Sequence, residues 1–198
     1  MKSISCLLII MNIAIGSACN VKSKVEPNQD AVSLTNDGWQ TYFENKEYQN
    51  ALNAFKDAII ADQEYTDAYN GAGWASARLS SLDEAVGYFE QCIGLDATIV
   101  DAQAGLAFAY QADMNYTDAI SAAKTALQTN STWSFSHDTS LNYKDLHLLL
   151  AACFFATGDY SQSLTEVRIL NSTFNTTVGT IEGKAALAEE IERLRGVV

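Results

Sequence analysis

Tyr48-Gln49-Asn50-Ala51-Leu52, Leu82-Asp83-Glu84-Ala85-Val86 and Tyr116-Thr117-Asp118-Ala119-Ile120 carry an alanine at a fixed interval of 34 residues, at positions 51, 85 and 119. Downstream of each alanine come Phe55 with Ala58, Phe89 with Cys92, and Ala123 with Ala126. Upstream, at matching offsets, lie Trp39 with Tyr42, Gly73 with Leu79, and Ala107 with Tyr110. Within each unit the apolar residues recur at intervals of three and four, the spacing that lays one face of an α-helix against its neighbours. Self-similarity at a period in the range 20–50 residues is the mark of a stacked repeat architecture, in which no unit buries its apolar face alone.

These windows resemble the tetratricopeptide repeat family, whose unit is a helix–turn–helix of 34 residues. The resemblance implies an all-α, right-handed solenoid of helical hairpins covering residues 32–178, with repeats at 32–65, 66–99, 100–133 and 144–177. In the first repeat the helices are expected at Val32 to Asn45 and Tyr48 to Ala61. Acidic residues at Thr66-Asp67 and Asp101 suit the positive end of a helix start. The fourth repeat is carried by Gly158-Asp159-Tyr160, a turn of the family type, with Ser163 where the alanine belongs. Ser163 follows Ala119 by 44 residues, so ten have been inserted. The insert, Ser134–Tyr143, is polar and aromatic and is expected to protrude as a loop between repeats three and four. After the polar stretch Asn171–Thr177, residues 179–198 hold a capping helix, with Ile181, Ala185, Ala188, Ile191 and Leu194 facing inward and Glu182, Lys184, Glu189, Glu190 and Arg193 outward. The family's proline after the second helix is absent; Gln63, Ala97 and Ser131 stand there.

The start of the chain reads differently. Met1-Lys2-Ser3 is followed by an apolar run from Ile4 to Ile15, too short for a bilayer span, which takes roughly 20 residues. It suits a signal peptide over 1–18. Gly16-Ser17-Ala18-Cys19 resembles the lipobox of bacterial lipoproteins, which would make Cys19 the lipid-bearing first mature residue; Gly16 departs from the leucine usual there. Gly16 and Ala18 would equally suit an ordinary signal peptidase, which releases a secreted chain. Residues 19–31 then read as a flexible tether with little to bury.

With 198 residues and 48% hydrophobic composition, the chain has material for a substantial core. Its formal charge is −12, and removal of Lys2 with the leader leaves 11 − 24 = −13. Such a surface repels nucleic acid and anionic headgroups. Cys92 occupies a slot filled elsewhere by Ala58 and Ala126, which makes it a small buried hydrophobe, and Cys153 lies two repeats away, too far to bridge. Neither a disulfide framework nor C-x-x-C metal spacing is present.

Candidate chemistry is sparse. His137, beside Asp138, and His147 are the only histidines, and no third ligand is spaced to join them. Gly71-Ala72-Gly73-Trp74 shares two glycines with phosphate-binding motifs but lies within a helix, where small residues let helices approach. The N-x-S/T triplets at Asn115, Asn130, Asn171 and Asn175 suit turns. No catalytic, metal or cofactor site is assigned.

The family resemblance implies that first helices line a concave groove. The residues projecting there would be Asn36, Gln40 and Phe43; Asn70 and Trp74; Phe108 and Gln111; Leu148 and Phe155. The same aromatic residues could instead pack one repeat on the next. The family's cationic grip on a peptide carboxylate is not carried over, since Arg78 is the only cation in reach. The expected function is a non-catalytic protein-binding adaptor, tethered by lipid to the bacterial envelope and receiving a peptide or helix of a partner. The family suggests work such as assisting outer-membrane proteins, pilus secretins or peptidoglycan enzymes. A self-assembling structural lipoprotein and an accessory enzyme with a site at the 134–147 insert are the alternatives.

Overall fold

The computed structural model describes residues 26–197. The expected signal peptide, residues 1–18, and the expected lipidation position, Cys19, lie outside them. The described chain forms nine α-helices: α1 Gln29–Gln40, α2 Tyr48–Ala61, α3 Thr66–Arg78, α4 Leu82–Leu95, α5 Val100–Ala112, α6 Tyr116–Thr129, α7 Tyr143–Ala156, α8 Tyr160–Leu170 and α9 Ile181–Leu194. Each odd-numbered helix up to α7 pairs with the next as an antiparallel hairpin, and each hairpin stacks on the one before. This is an all-α tetratricopeptide-type solenoid. The first helix begins before Val32, because the Asn28 side chain caps it by accepting the Asp30 N–H. The last residues of the expected tether, Gln29 to Ala31, therefore belong to α1, and Ala31 is wholly buried.

The repeated alanines sit where helices cross. Ala51, Ala85 and Ala119 are completely buried. Ser163 takes the same place in the fourth hairpin, and its hydroxyl donates to the Ala151 carbonyl at 2.7 Å, so the polar atom introduced there is satisfied. Phe55 and Phe89 insert between neighbouring first helices at notches made by glycine. A Cβ built on Gly38 or Gly71 would fall 2.7 or 2.3 Å from the Phe55 ring, and one on Gly73 or Gly105 would fall 2.6 or 2.3 Å from Phe89.

The hairpin turns share one backbone device. Lys46, Ser80 and Met114 have φ of 56°, 61° and 59°, and Gly158 has φ 84°. They occupy one repeat position; only the fourth turn uses the residue that adopts this region without cost. Asp159 then caps α8, accepting the Gln162 N–H at 3.1 Å.

Helix α9 closes the stack with Ile191 and Leu194 inward as periodicity suggests, but with the rest of its buried face rotated. Gly183, Leu187, Glu190, Ile191 and Leu194 are inward, whereas Ile181 is 82% exposed and Ala185 is on the surface. Leu187, Ile191 and Leu194 share one apolar cluster with Ala151, Leu164 and Val167. The rotation is tied down by Glu190, which accepts from Asn171 Nδ2 at 2.8 Å and from Arg193 at 2.6 and 2.8 Å. A carboxylate with three charge-assisted or amide donors can be buried where an unpaired one could not.

Candidate binding groove and the strap within it

The insert does not protrude. It folds back over the face made by the first helices. Trp133 and Phe135 are 2% and 3% exposed, and burying aromatic surface of this size stabilises by about 2–3 kcal/mol per residue, more than a loop projecting into water could recover. Along Trp133-Ser134-Phe135-Ser136-His137 the large rings are buried or half-buried and the serines exposed, the alternation of an extended segment, although the Ser136 hydroxyl still reaches Asp101.

Phe135 enters an aromatic box. Its ring centroid lies 4.9 Å from that of Trp74, 5.8 Å from Trp39 and 6.4 Å from Phe43. His137 stacks on Trp39 at 3.9 Å, and its Nε2 lies 3.2 Å from Asp67 Oδ1. The other Asp67 oxygen accepts the Trp39 indole N–H at 3.1 Å. One repeat further on, Asp101 accepts the Trp133 indole N–H at 2.7 Å and both the backbone N–H and the hydroxyl of Ser136. Asp67 and Asp101 occupy equivalent places in the first turns of α3 and α5, so the groove presents acceptors at a repeat spacing to a segment supplying donors.

Two cavities lie along this face, and strap residues line the first. The first, about 470 Å³, is walled by Tyr42, Phe43, Tyr48, Trp74, Phe108 and Phe135, with Lys46, Arg78 and Asp138 also on its lining. Its size is that of a small-molecule or side-chain pocket. A π-helical turn, Thr41–Asn45, carries Tyr42 and Phe43 into it; such turns are rare and concentrate at functional positions. Burial pushes the Tyr42 hydroxyl up to about 12, against the nearby Arg78 charge, so Tyr42 itself stays uncharged. The indole N–H of Trp74 is buried without a partner. The second cavity, about 540 Å³, lies between α5, α7 and α9 and is lined by Phe108, Gln111, Leu148, Phe155, Ile191 and Arg195, among others.

Of the residues singled out in the sequence, Phe43, Trp74 and Phe108 meet in the first cavity, and Phe108, Gln111, Leu148 and Phe155 in the second. Asn36, Gln40 and Asn70 line neither. Gln40 bonds to Glu44 at 3.0 Å, and Asn70 is 2% exposed, its amide 3.5 Å from Asp67. Trp74 packs edge-on to Phe89 of its own hairpin at 5.7 Å, lies 6.1 Å from Phe108 of the next, and faces the cavity. Arg78 is joined on these linings by Lys46 and Arg195, which sequence reading did not place there. It also missed Phe135, whose signal was the aromatic–serine alternation.

The histidines do not converge. His147 pairs with Glu166 at 2.7 Å across the fourth hairpin, remote in partner and place from His137 and Asp67. Among the described residues no three His, Cys, Asp or Glu side chains are arranged to hold a metal ion. Cys92 and Cys153 are buried free thiols, and Cys92 donates to the Thr66 carbonyl at 3.3 Å. No described helix is long and apolar enough to cross a membrane.

The class of protein is thus a helical-hairpin repeat solenoid whose first-helix face forms an aromatic groove. The tetratricopeptide repeat family model matches residues 40–98. Among solved structures the chain is similar to PilW, a widely conserved type IV pilus biogenesis factor (TM-score 0.63, 18% identity, 84% of this chain and 67% of that one). It is also similar to MamA (TM-score 0.60, 15% identity, 86% and 83%). A third is the first tetratricopeptide domain of Spaghetti (RPAP3) bound to an HSP90 peptide (TM-score 0.53, 18% identity, 65% and 99%). At these identities the likeness is one of fold. No curated protein matches the sequence.

Proposed function

We propose that this chain is a non-catalytic adaptor that receives a peptide or helix of a partner protein on its first-helix face, while a lipid on Cys19 tethers it to the bacterial envelope. The observation that carries the binding half is the groove itself, where Trp39, Phe43 and Trp74 already hold an extended aromatic segment. Aromatic anchors in desolvated pockets dominate protein contacts, at about 2 kcal/mol or more for each of a few positions, or roughly thirtyfold in affinity. That a similar fold, in Spaghetti, holds an HSP90 peptide supports the same use here. The tether is supported by sequence alone: a basic start, an apolar run, and small residues ending at Cys19. More than one acyl chain gives a stable anchor, at about 0.8 kcal/mol per buried methylene.

The test is purification of the full chain from its own membranes, with identification of the proteins that accompany it. Trp74→Ala and Phe108→Ala should each release the partner at least tenfold while the helical signal persists. Partners retained at wild-type level by both folded variants would refute binding on this face. An intact mass with Cys19 free of acyl groups would refute the tether.

A further inference from the structure

We infer that the strap Trp133–Leu141 is a displaceable occupant of the groove, and that the partner segment it gives way to carries an aromatic side chain followed two residues later by a cationic one. This rests on reading the first-helix face as protein-binding and specifies what that face accepts.

The strap is built as a unit that can leave intact. Its base is closed by its own backbone bonds: Tyr143 N–H donates to the Trp133 carbonyl at 2.7 Å, and Phe135 N–H to the Leu141 carbonyl at 2.9 Å. Leu141 N–H closes the tip on Asp138 at 3.1 Å. The attachment to the groove runs almost wholly through side chains. The Phe135 and His137 rings, the Ser136 hydroxyl and, at the base, the Trp133 indole N–H reach it, the last donating to Asp101 at 2.7 Å, with the single backbone donor Ser136 N–H to Asp101 at 3.2 Å. Lifting the strap therefore breaks no helical bond, and an incoming segment can replace each contact.

The groove specifies the replacement. Trp39, Phe43 and Trp74 take an aromatic ring, and Asp67, one extended step further, takes a donor stacked against Trp39. Trp39 supplies a ring face and Asp67 a negative charge, which together suit a guanidinium, ammonium or imidazolium better than the neutral form. The net charge of −12 favours the approach of a cationic segment. Because the strap is tethered at both ends, its effective concentration is in the millimolar range. A partner must bind more tightly than that, so the strap acts as an affinity threshold.

The test uses an end-blocked peptide with the sequence of residues 134–141, with arginine in place of His137, titrated calorimetrically against the full chain. The double variant Phe135→Ala/His137→Ala should bind it at least tenfold more tightly than wild type. Asp67→Asn in that background, or alanine for phenylalanine in the peptide, should cost at least tenfold. No saturable binding by a folded double variant overturns the proposal. If the variant does not fold, hydrogen exchange on the wild type decides. The Phe135 and Ser136 amides should exchange at least tenfold faster than the core amides of α3 and α5; exchange only at the global unfolding rate overturns it. A membrane partner captured equally well by wild type and double variant leaves the adaptor reading standing and overturns this one. Peptide binding to the emptied groove with no partner recovered supports the strap inference while counting against the adaptor.

Discussion

Gly71→Ala places two effects in opposition. Alanine in a helix interior is worth about 0.5–1 kcal/mol over glycine through backbone entropy. Against this, the new methyl would lie 2.3–2.5 Å from Cε1, Cδ1 and Cζ of Phe55. Phe55 cannot yield cheaply, because it is wholly buried and the same ring edge already fills the Gly38 notch on α1, where a Cβ would fall 2.7 Å from it. Overpacking of a filled core costs about 1–3 kcal/mol, so the net should be a loss of about 1–2 kcal/mol. For a domain of this size that is a fall of roughly 2–8 °C in the thermal midpoint. Gly87→Ala is the internal control: nothing lies within 4 Å of the place its methyl would take, so only the entropy gain remains and the midpoint should rise. The second control is Phe55→Leu, destabilising alone but relieving the clash, so that the double variant is better than the sum of the singles by about 1 kcal/mol. The assay is thermal or urea unfolding followed by helical ellipticity. A midpoint raised by Gly71→Ala, or strict additivity with Phe55→Leu, would refute the notch as the element that sets the distance between α1 and α3.

Met114→Gly should stabilise by about 1 kcal/mol and Gly158→Ala destabilise by at least that much, since both sit at positive φ; equal midpoints in urea would contradict the shared turn geometry. Asp101→Ala should cost about 2–3 kcal/mol, because it strands the buried Trp133 indole N–H and two donors of Ser136; the measure is urea unfolding, with unchanged stability as the refuting result. Burial pushes the Cys92 thiol up to about 12 and the Cys153 thiol up to about 11, so neither should react with a thiol reagent at about pH 8 until the chain unfolds. The same shifts make stability fall with alkali. The unfolded thiols ionise near pH 9 while the folded ones hold their protons, so the unfolded state binds fewer protons and stability is lost progressively above about pH 9. A flat stability profile from about pH 8 to about pH 10.5 would oppose this.

The number and order of the hairpins were legible in the sequence because they rest on local periodicity. Ala51, Ala85 and Ala119 mark crossings where only a small side chain fits, and a steric limit repeated every 34 residues is visible without coordinates. Even the departure at Ser163 could be placed, since the Gly158-Asp159-Tyr160 turn sets its register, whereas the bond to Ala151 that satisfies its hydroxyl is seen only in the structure. Helix α9 was legible as a helix but not in its rotation, because Glu190 carries an outward signature until Asn171 and Arg193 neutralise its burial. The groove was half legible: Phe43, Trp74 and Phe108 follow from repeat register, whereas their relation to the insert does not. That Phe135 rests against Trp39, far along the chain, and that His137 meets Asp67, 70 residues away, depends on how the stacked hairpins curve toward one another. Repeat spacing determines which residues share a face. Only the tertiary structure determines which distant segment that face can reach, because contacts across a solenoid's curve have no period in the sequence.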